Sequence, residues 1–267
     1  MVKSESQESE YLDEIESSLD SVEKIESSYK LERKMSLNLF EGKKFQNLSK
    51  LIIYSKIKEL ESEKENQSMI NASKKILDPL LNQNNFYTIK KEKENSAKIM
   101  KEKIEDIFKD IKKILPDHLV NIVFYIVGKL VDNIDQHSDF SSATVLFNYN
   151  KESNFVEIGV LDNGRSIPGA FELKNVVFKE DFHSIKLAIS GTSTKEEKGR
   201  GTGLPSSKKL TVNGLNGNFL VVSRNGFVLA KDNIEITEKI NKSLNGTLVY
   251  IKFKDAQKAL NIYEYLN

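Results

Sequence analysis

The sequence predicts an α/β sandwich, a mixed and mostly antiparallel sheet with helices on one face, preceded by a mainly helical extension. Runs of alternating apolar residues predict strands at 144–149, 155–161, 218–223, 227–230 and 247–253. Asn225-Gly226 is typical of a hairpin turn between the third and fourth of these strands. Residues 36–115 instead repeat apolar side chains at helical spacing, which predicts helices before the sheet begins.

Residues 1–35 form an acidic segment of their own. Residues 1–30 carry nine acidic and three basic side chains, and residues 1–10, rich in Ser and Glu, are expected to be disordered. From residue 12 the apolar positions follow a three-four spacing: Leu12, Ile15, Leu19, Val22 and Tyr29. The sequence favours an amphipathic helix that docks on the chain's own surface. The alternative is an intermolecular helix that joins a homodimer or recruits a partner through its acidic face.

The helical region, residues 36–115, contains three apolar groups at helical spacing. They are Leu48, Leu51, Ile52 and Tyr54; then Ile76, Leu77, Leu80 and Leu81; then Met100, Ile104, Ile107, Phe108, Ile111 and Leu115. The last helix is expected to end at Pro116 and to pack on the following domain, residues 116–267. Its lysines alternate with acids, which is typical of a solvated face, so a nucleic-acid partner is not expected.

Residues 117–137 predict a helix that is apolar almost all round and therefore buried. Asn133, Gln136 and His137 nevertheless stand near its end on one side. Polar groups on such a helix need a specific partner, either an internal hydrogen bond or a ligand. The Asn133 amide could give an oxygen to Mg²⁺, which prefers oxygen ligands.

The glycines of this chain are concentrated in its second half. Only Gly42 of the thirteen precedes residue 128, and residues 191–203 read GTSTKEEKGRGTG. Glycine-rich backbone lets N–H groups approach an anion, and a helix predicted to start at Gly203, with Pro205 in its first turn, aims its positive end at the same place. The segment therefore indicates a phosphate clamp, although a mobile surface loop would use the same residues.

Two further candidate positions lie at the ends of predicted strands. Asp162 ends an alternating run, and Asn163-Gly164 then turns the chain. A carboxylate there can accept a hydrogen bond from an exocyclic amine, with Gly164 leaving room for a flat ring. Thr247 would point a hydroxyl inward at the start of the last strand. A plain Asp-Asn-Gly turn is the alternative.

In this order and spacing, the four motifs between residues 115 and 255 resemble the GHKL superfamily, whose gyrase, chaperone, histidine-kinase and mismatch-repair members share the Bergerat ATP-binding fold. The resemblance implies that Asn133 ligates Mg²⁺, that Asp162 binds the adenine amine, and that Thr247 reaches adenine through water. Residues 191–195 resemble the ATP lid, and residues 199–203 the glycine box beneath the triphosphate. The nucleotide-binding residues that it implies are Asn133, Gln136, His137, Asp162, Gly164, Gly191, Thr192, Ser193, Thr194, Lys195, Gly199, Arg200, Gly201, Thr202, Gly203, Leu204 and Thr247.

Two positions depart from the family pattern. Lys129 stands four residues before Asn133, where many members carry the glutamate that serves as general base. A protonated lysine cannot take a proton from water, so hydrolysis is expected to be slow unless a partner or another carboxylate substitutes, and no catalytic residue is assigned. Ser166 replaces a glycine that is common in the adenine box.

The sequence thus predicts a protein that binds ATP with Mg²⁺ and acts as a nucleotide-gated switch on a protein partner. One alternative is a kinase that transfers the γ-phosphate to His or Ser of a partner; another is a nucleotide-free structural module. Residues 1–117 contain no histidine, which disfavours the usual phosphoacceptor hairpin and leaves His118 as the first candidate. The chain has no Walker P-loop motif, no cysteine and no apolar run long enough to span a bilayer, and a cytoplasmic location is expected.

Overall fold

The computed structural model describes residues 2–32, 46–63, 86–91, 96–192, 202–256 and 260–265. They belong to two compact units, Met1–Thr88 and Ile89–Asn267, with the boundary inside the first strand. In chain order the elements are α1 (Val2–Glu32), α2 (Asn47–Glu63), β1 (Phe86–Lys90), α3 (Ser96–Ile114), α4 (Asp117–His137), β2 (Ser142–Asn150), β3 (Phe155–Asp162), α5 (Ile167–Glu172), α6 (Asp181–Ile189), α7 (Gly203–Lys209), a π-helical turn (Leu210–Gly214), β4 (Asn218–Lys231), β5 (Ile234–Lys254) and a 3₁₀ turn (Ile262–Tyr265).

In the first unit, α1 packs against α2. The Glu14 carboxylate accepts hydrogen bonds from the Ser49 N–H and hydroxyl, at 2.8 and 2.9 Å. The Lys56 ammonium lies 2.6 Å from the Glu26 carboxylate. The acidic helix therefore docks on the chain's own surface, as the sequence favoured. Joining of two chains through it stays a prediction.

The helix α1 starts earlier than expected. Disorder was predicted for residues 1–10, but α1 begins at Val2. Glutamate has a high helix propensity, and the Ser9 hydroxyl donates to the Asp13 carboxylate one turn later, at 3.2 Å. The scarcity of apolar residues was therefore a poor guide here, because the segment extends a helix whose later turns are packed.

The second unit is built on a five-stranded sheet in the order β1-β2-β3-β5-β4, and the β2-β3, β3-β5 and β5-β4 pairs are all antiparallel. Apolar side chains of α4 and of the central strands are buried, which confirms the predicted α/β class. The register sets Asp162 of β3 directly opposite Thr247 of β5. Two residues that the sequence placed in one site are thus joined by strand pairing.

The predicted hairpin at Asn225-Gly226 is wrong. Residues 218–231 form one strand, and the turn falls instead at Asp232 and Asn233, whose φ angles are +49° and +61°. Gly226 serves packing: a Cβ there would lie 2.6 Å from the backbone nitrogen of Phe182, so α6 can approach β4 only over a glycine. Two left-handed residues at the tip suit a tight hairpin turn between strands.

The helices before the sheet largely follow the prediction. Helix α4 has the predicted bounds, and α3 ends just before Pro116. The Phe108 ring of α3 stacks on the Phe124 ring of α4, with centroids 4.2 Å apart, so α3 packs on the domain that follows it. Strand β1 lies in a region predicted to be helical, and the helix predicted around residues 76–81 lies outside the described residues.

Candidate functional site

A cleft of about 760 Å³, including its open mouth, lies between the sheet and the helices of the second unit. Strands β3 and β5 form its floor, and α4, α5, α6 and α7 contribute to its walls. Five of the predicted site residues line it: Asn133, Asp162, Thr192, Leu204 and Thr247. These residues are separated by up to 114 positions along the chain, so the fold assembles one site from distant motifs.

Asp162 is the buried acid of the cleft. Asp162 is the last residue of β3 and is 4% exposed. Its Oδ1 accepts a hydrogen bond from the Gly164 N–H at 2.9 Å. Burial raises the pKa of Asp162 from 3.8 to about 7, although hydrogen bonds from the Gly164 backbone and the Ser138 hydroxyl act in the opposite direction. A carboxyl group in this position accepts its strongest hydrogen bond from a ligand when it is ionised.

Gly164 has a different role from the one expected. A Cβ at residue 164 would overlap the carbonyl of Ser138, and that carbonyl also accepts the Arg165 N–H. The Asn163 Oδ1 accepts the backbone N–H groups of Ser141 and Ser142, at 3.1 and 2.9 Å. The turn therefore closes on the end of α4 and the start of β2, which holds Asp162 in place. Gly164 itself does not line the cleft.

Ser166, the second departure from the family pattern, caps a helix. Its hydroxyl accepts the Gly169 N–H at 3.2 Å at the start of α5, and its side chain is buried. A serine or threonine at this position satisfies a free N–H of the first turn. Serine can therefore replace glycine at this position, because residue 166 caps helix α5, which begins at the next residue.

Thr247 lies opposite Asp162, and its hydroxyl contacts a side chain of the neighbouring strand β4. Its Oγ1 is 2.9 Å from the Ser223 Oγ of β4. The preceding Gly246 has φ +90°, and a Cβ there would overlap the Asp162 carbonyl. Ser223 was missed by the sequence reasoning, since a single serine at the end of a predicted strand carries no pattern. Arg165, which follows the Asp162-Asn163-Gly164 turn and also lines the cleft, was missed as well.

Asn133 lies half-buried in α4 at the other side of the cleft. Its Nδ2 is buried and has no hydrogen-bond partner among the described residues. Gly203 packs against it so closely that a Cβ there would lie 2.8 Å from its Oδ1. Within the described ranges, no group of three or more His, Cys, Asp or Glu side chains could hold a metal ion. The Asn133 amide could supply one oxygen to Mg²⁺, which would then take its other ligands from phosphate oxygens and water.

The other residues predicted around the phosphates are only partly described. Gly191 has φ +105° and precedes Thr192 on the cleft wall. Thr202 occupies the N-cap position of α7 without a side-chain capping bond, and α7 begins at Gly203 as predicted. Gln136 is exposed and does not line the cleft. Outside the described residues are the side chain of His137 and all of Ser193, Thr194, Lys195, Gly199, Arg200 and Gly201.

Lys129 does not line the cleft. Its ammonium lies 5.8 Å from the centroid of the Tyr125 ring, and the Tyr125 hydroxyl donates to the Ser206 Oγ at 2.8 Å. Among the described residues that do line the cleft, Asp162 is the sole carboxylate. This part of the cleft therefore supplies no base beyond the acid that occupies its floor.

The comparisons with known proteins agree with this geometry. The family model described as histidine kinase-, DNA gyrase B-, and HSP90-like ATPase matches residues 120–257, just over half of the chain. No curated protein matches significantly. In the described parts of the chain, no helix is both long and apolar enough to cross a membrane. The chain therefore belongs to the histidine kinase-, DNA gyrase B- and HSP90-like ATPase family, and residues 120–257 form an ATP-binding domain of the GHKL type.

Proposed function

We propose that this protein binds ATP together with Mg²⁺ in the cleft and uses its nucleotide state to regulate a protein partner, with hydrolysis that is slow or depends on that partner. The observation that carries the proposal is the buried carboxyl of Asp162, set beside Thr247 on the floor of an otherwise largely apolar cleft. A buried acid facing a cleft offers an acceptor to a ligand that donates a hydrogen bond.

At this end of the cleft, adenine would donate its exocyclic amine to Asp162. Apolar side chains of the floor and walls, including Val160, Val249 and Phe171, offer surfaces for the flat ring. Small-molecule sites commonly combine such apolar walls with a few placed polar groups. Asp162 then supplies orientation, and the walls supply most of the buried area.

At the opposite end, Asn133 would hold Mg²⁺, which neutralises phosphate charge when it is bound. The backbone at Gly191, Thr192 and Gly203 would face the phosphates. The sequence adds the remaining residues of the predicted lid and glycine box, residues 193–201, to this end of the site. Glycine backbone and hydroxyl groups suit contacts to anionic oxygens.

Slow turnover follows from the position of Lys129. Its ammonium lies against Tyr125, and the described cleft wall offers no free carboxylate to activate water. A triphosphate that persists can hold one conformation long enough for a partner to bind it. Only a ligand with different affinities for two conformations can switch them, so the partner must distinguish the bound and free states.

The test is to incubate the purified protein with Mg²⁺ and γ-labelled ATP, with and without candidate partner proteins, and to measure binding by calorimetry in parallel. Binding without phosphate release or transfer would support the switch. Phosphate release by the isolated protein would point to an ATPase, and label on a partner to a kinase. If no ATP binds, the nucleotide function is wrong and a structural module becomes the better description.

A matched pair of variants makes this test specific. Asp162→Asn removes the proposed acceptor, and losing this charge-assisted bond should weaken ATP binding by roughly 1.5 to 3 kcal/mol. Asp255→Asn changes another buried acid, which lies at the far end of the β3-β5 ladder and binds His118 at 2.8 Å. Asp255→Asn should leave ATP affinity unchanged in folded protein.

A further inference from the structure

Three polar groups converge on the hydroxyl of Ser223, which is fully buried in β4. The Ile167 N–H donates to Ser223 Oγ at 2.9 Å. The Gly246 carbonyl oxygen and the Thr247 Oγ1 each lie 2.9 Å from the same atom. Ser223 thus connects β4, β5 and the start of α5 directly behind the floor of the cleft.

Both 2.9 Å contacts are hydrogen bonds at once in only one arrangement of the hydroxyl hydrogens. Ser223 Oγ carries one hydrogen, and the Gly246 carbonyl can only accept, so the Ser223 hydroxyl donates to Gly246. The contact between the two hydroxyls then requires a second hydrogen, and only Thr247 can supply it. In this arrangement the Thr247 hydroxyl donates to Ser223, and its hydrogen points away from the cleft.

The backbone around this contact leaves little room for another arrangement. Gly246 lies against the Asp162 carbonyl, and the strand register holds Thr247 opposite Asp162. With its hydrogen engaged behind the floor, Thr247 presents unshared electron pairs to the cleft. Asp162, once ionised, presents an acceptor beside it.

We infer that Ser223 is a positioning residue for nucleotide recognition: it holds the Thr247 hydroxyl in one direction, as a fixed acceptor next to Asp162. The inference rests on the proposed ATP function and identifies a residue on which the recognition of the base depends. Ser223 does not itself line the cleft, so its effect on a ligand must pass through Thr247. A polar group that is already fixed before binding loses less conformational entropy when the ligand binds, which favours binding.

A double-mutant cycle separates this role from a merely structural one. Mg-ATP dissociation constants are measured for the wild type, Ser223→Ala, Thr247→Val and the double variant, at pH 8.5 where Asp162 is largely ionised. Ser223→Ala should raise the dissociation constant about threefold to tenfold, the size of one ordinary hydrogen bond. In the Thr247→Val background the same change should have no further effect, because the hydroxyl that Ser223 holds is absent.

A structural role predicts a different cycle. If Ser223→Ala only loosened α5 through Ile167, it would weaken binding by the same factor in both backgrounds, and that outcome overturns the inference. Ser207→Ala is the matched control: Ser207 is fully buried, its hydroxyl has no partner among the described residues, and it does not line the cleft. It should leave the dissociation constant unchanged.

A second measurement needs no nucleotide. With isotope-labelled threonine methyl groups, three-bond couplings report the χ1 rotamer of Thr247 in the free protein. One rotamer in the wild type and averaging in Ser223→Ala support the inference; averaging in both overturns it. If Ser223→Ala does not fold, Ser223→Cys, with its weaker hydrogen bonds, takes its place in the same cycle. Absence of ATP binding by the wild type overturns the proposed function as well, whereas an additive cycle in a protein that binds ATP overturns only the role of Ser223.

Discussion

Nucleotide affinity should depend on pH through Asp162. Burial raises the pKa of this carboxyl to about 7, and the ionised form accepts a stronger, charge-assisted hydrogen bond from the adenine amine than the protonated form does. With that pKa, roughly nine tenths of the groups are ionised at pH 8 and roughly one tenth at pH 6. The dissociation constant for Mg-ATP should therefore rise by up to about tenfold from pH 8 to pH 6.

Calorimetry over this pH range, with Asp162→Asn as reference, provides the assay. The asparagine does not titrate, so the variant retains only the pH dependence of ATP itself and of the other groups of the protein. Subtracting its curve from that of the wild type isolates Asp162. Near pH 7 the wild type should also release up to about half a proton per ATP bound, beyond the amount released by the variant. Parallel curves for the two proteins would refute the assignment of Asp162 as the base-reading acid.

Four further predictions address stability, catalysis and the phosphate end. The folded pKa of Asp162 exceeds its ordinary value of 3.8, so the stability that its protonated form contributes is complete below pH 4 and is lost as pH rises through 7. Near pH 8, Asp162→Asn should therefore be more stable than the nucleotide-free wild type, by an amount on the order of 4 kcal/mol. Thermal unfolding should show this difference vanishing toward pH 4. Lys129→Glu should raise basal ATP hydrolysis, by about 10²- to 10⁴-fold where the geometry allows, while Lys129→Gln should not; equal rates in both would exclude this position as a base site. Gly203→Ala would place a Cβ 2.8 Å from the Asn133 Oδ1, so Mg-dependent ATP affinity should fall, whereas Gly128→Ala, whose Cβ has an ordinary 3.8 Å contact, should leave it unchanged in a nucleotide titration. Residues 191–203 should exchange amide hydrogens more slowly with Mg-ATP than without, and equal exchange while ATP is bound would contradict the lid-based switch.

Local sequence patterns identified the residues of the candidate site but not the contacts that hold them. Asp162 and Thr247 each end or begin an alternating run, so local pattern was enough to find them. Their pairing depends on the register between β3 and β5, which no local pattern specifies. Ser223 depends on a third strand and could be found only after the sheet order was known.

Glycine shows why the remaining errors arose. Asn225-Gly226 has the composition of a hairpin turn, yet Gly226 lies inside β4 because α6 packs closely over it. Gly164 likewise avoids the backbone of Ser138 and does not line the cleft. A glycine that relieves a contact between distant segments cannot be distinguished in sequence from a glycine that bends the chain.

The uninterrupted helix α4 also fixes the distance between two of its residues. His118 stands in its first turn, and Asn133 lies fifteen residues further along the same helix. At 1.5 Å per residue, the two positions are about 22 Å apart, and a buried helix of this kind does not shorten. If Mg-ATP binds at Asn133 as proposed, its terminal phosphate is far out of bonding range of the histidine in the same molecule. Any phosphorylation of His118 would have to be carried out by a second protein molecule.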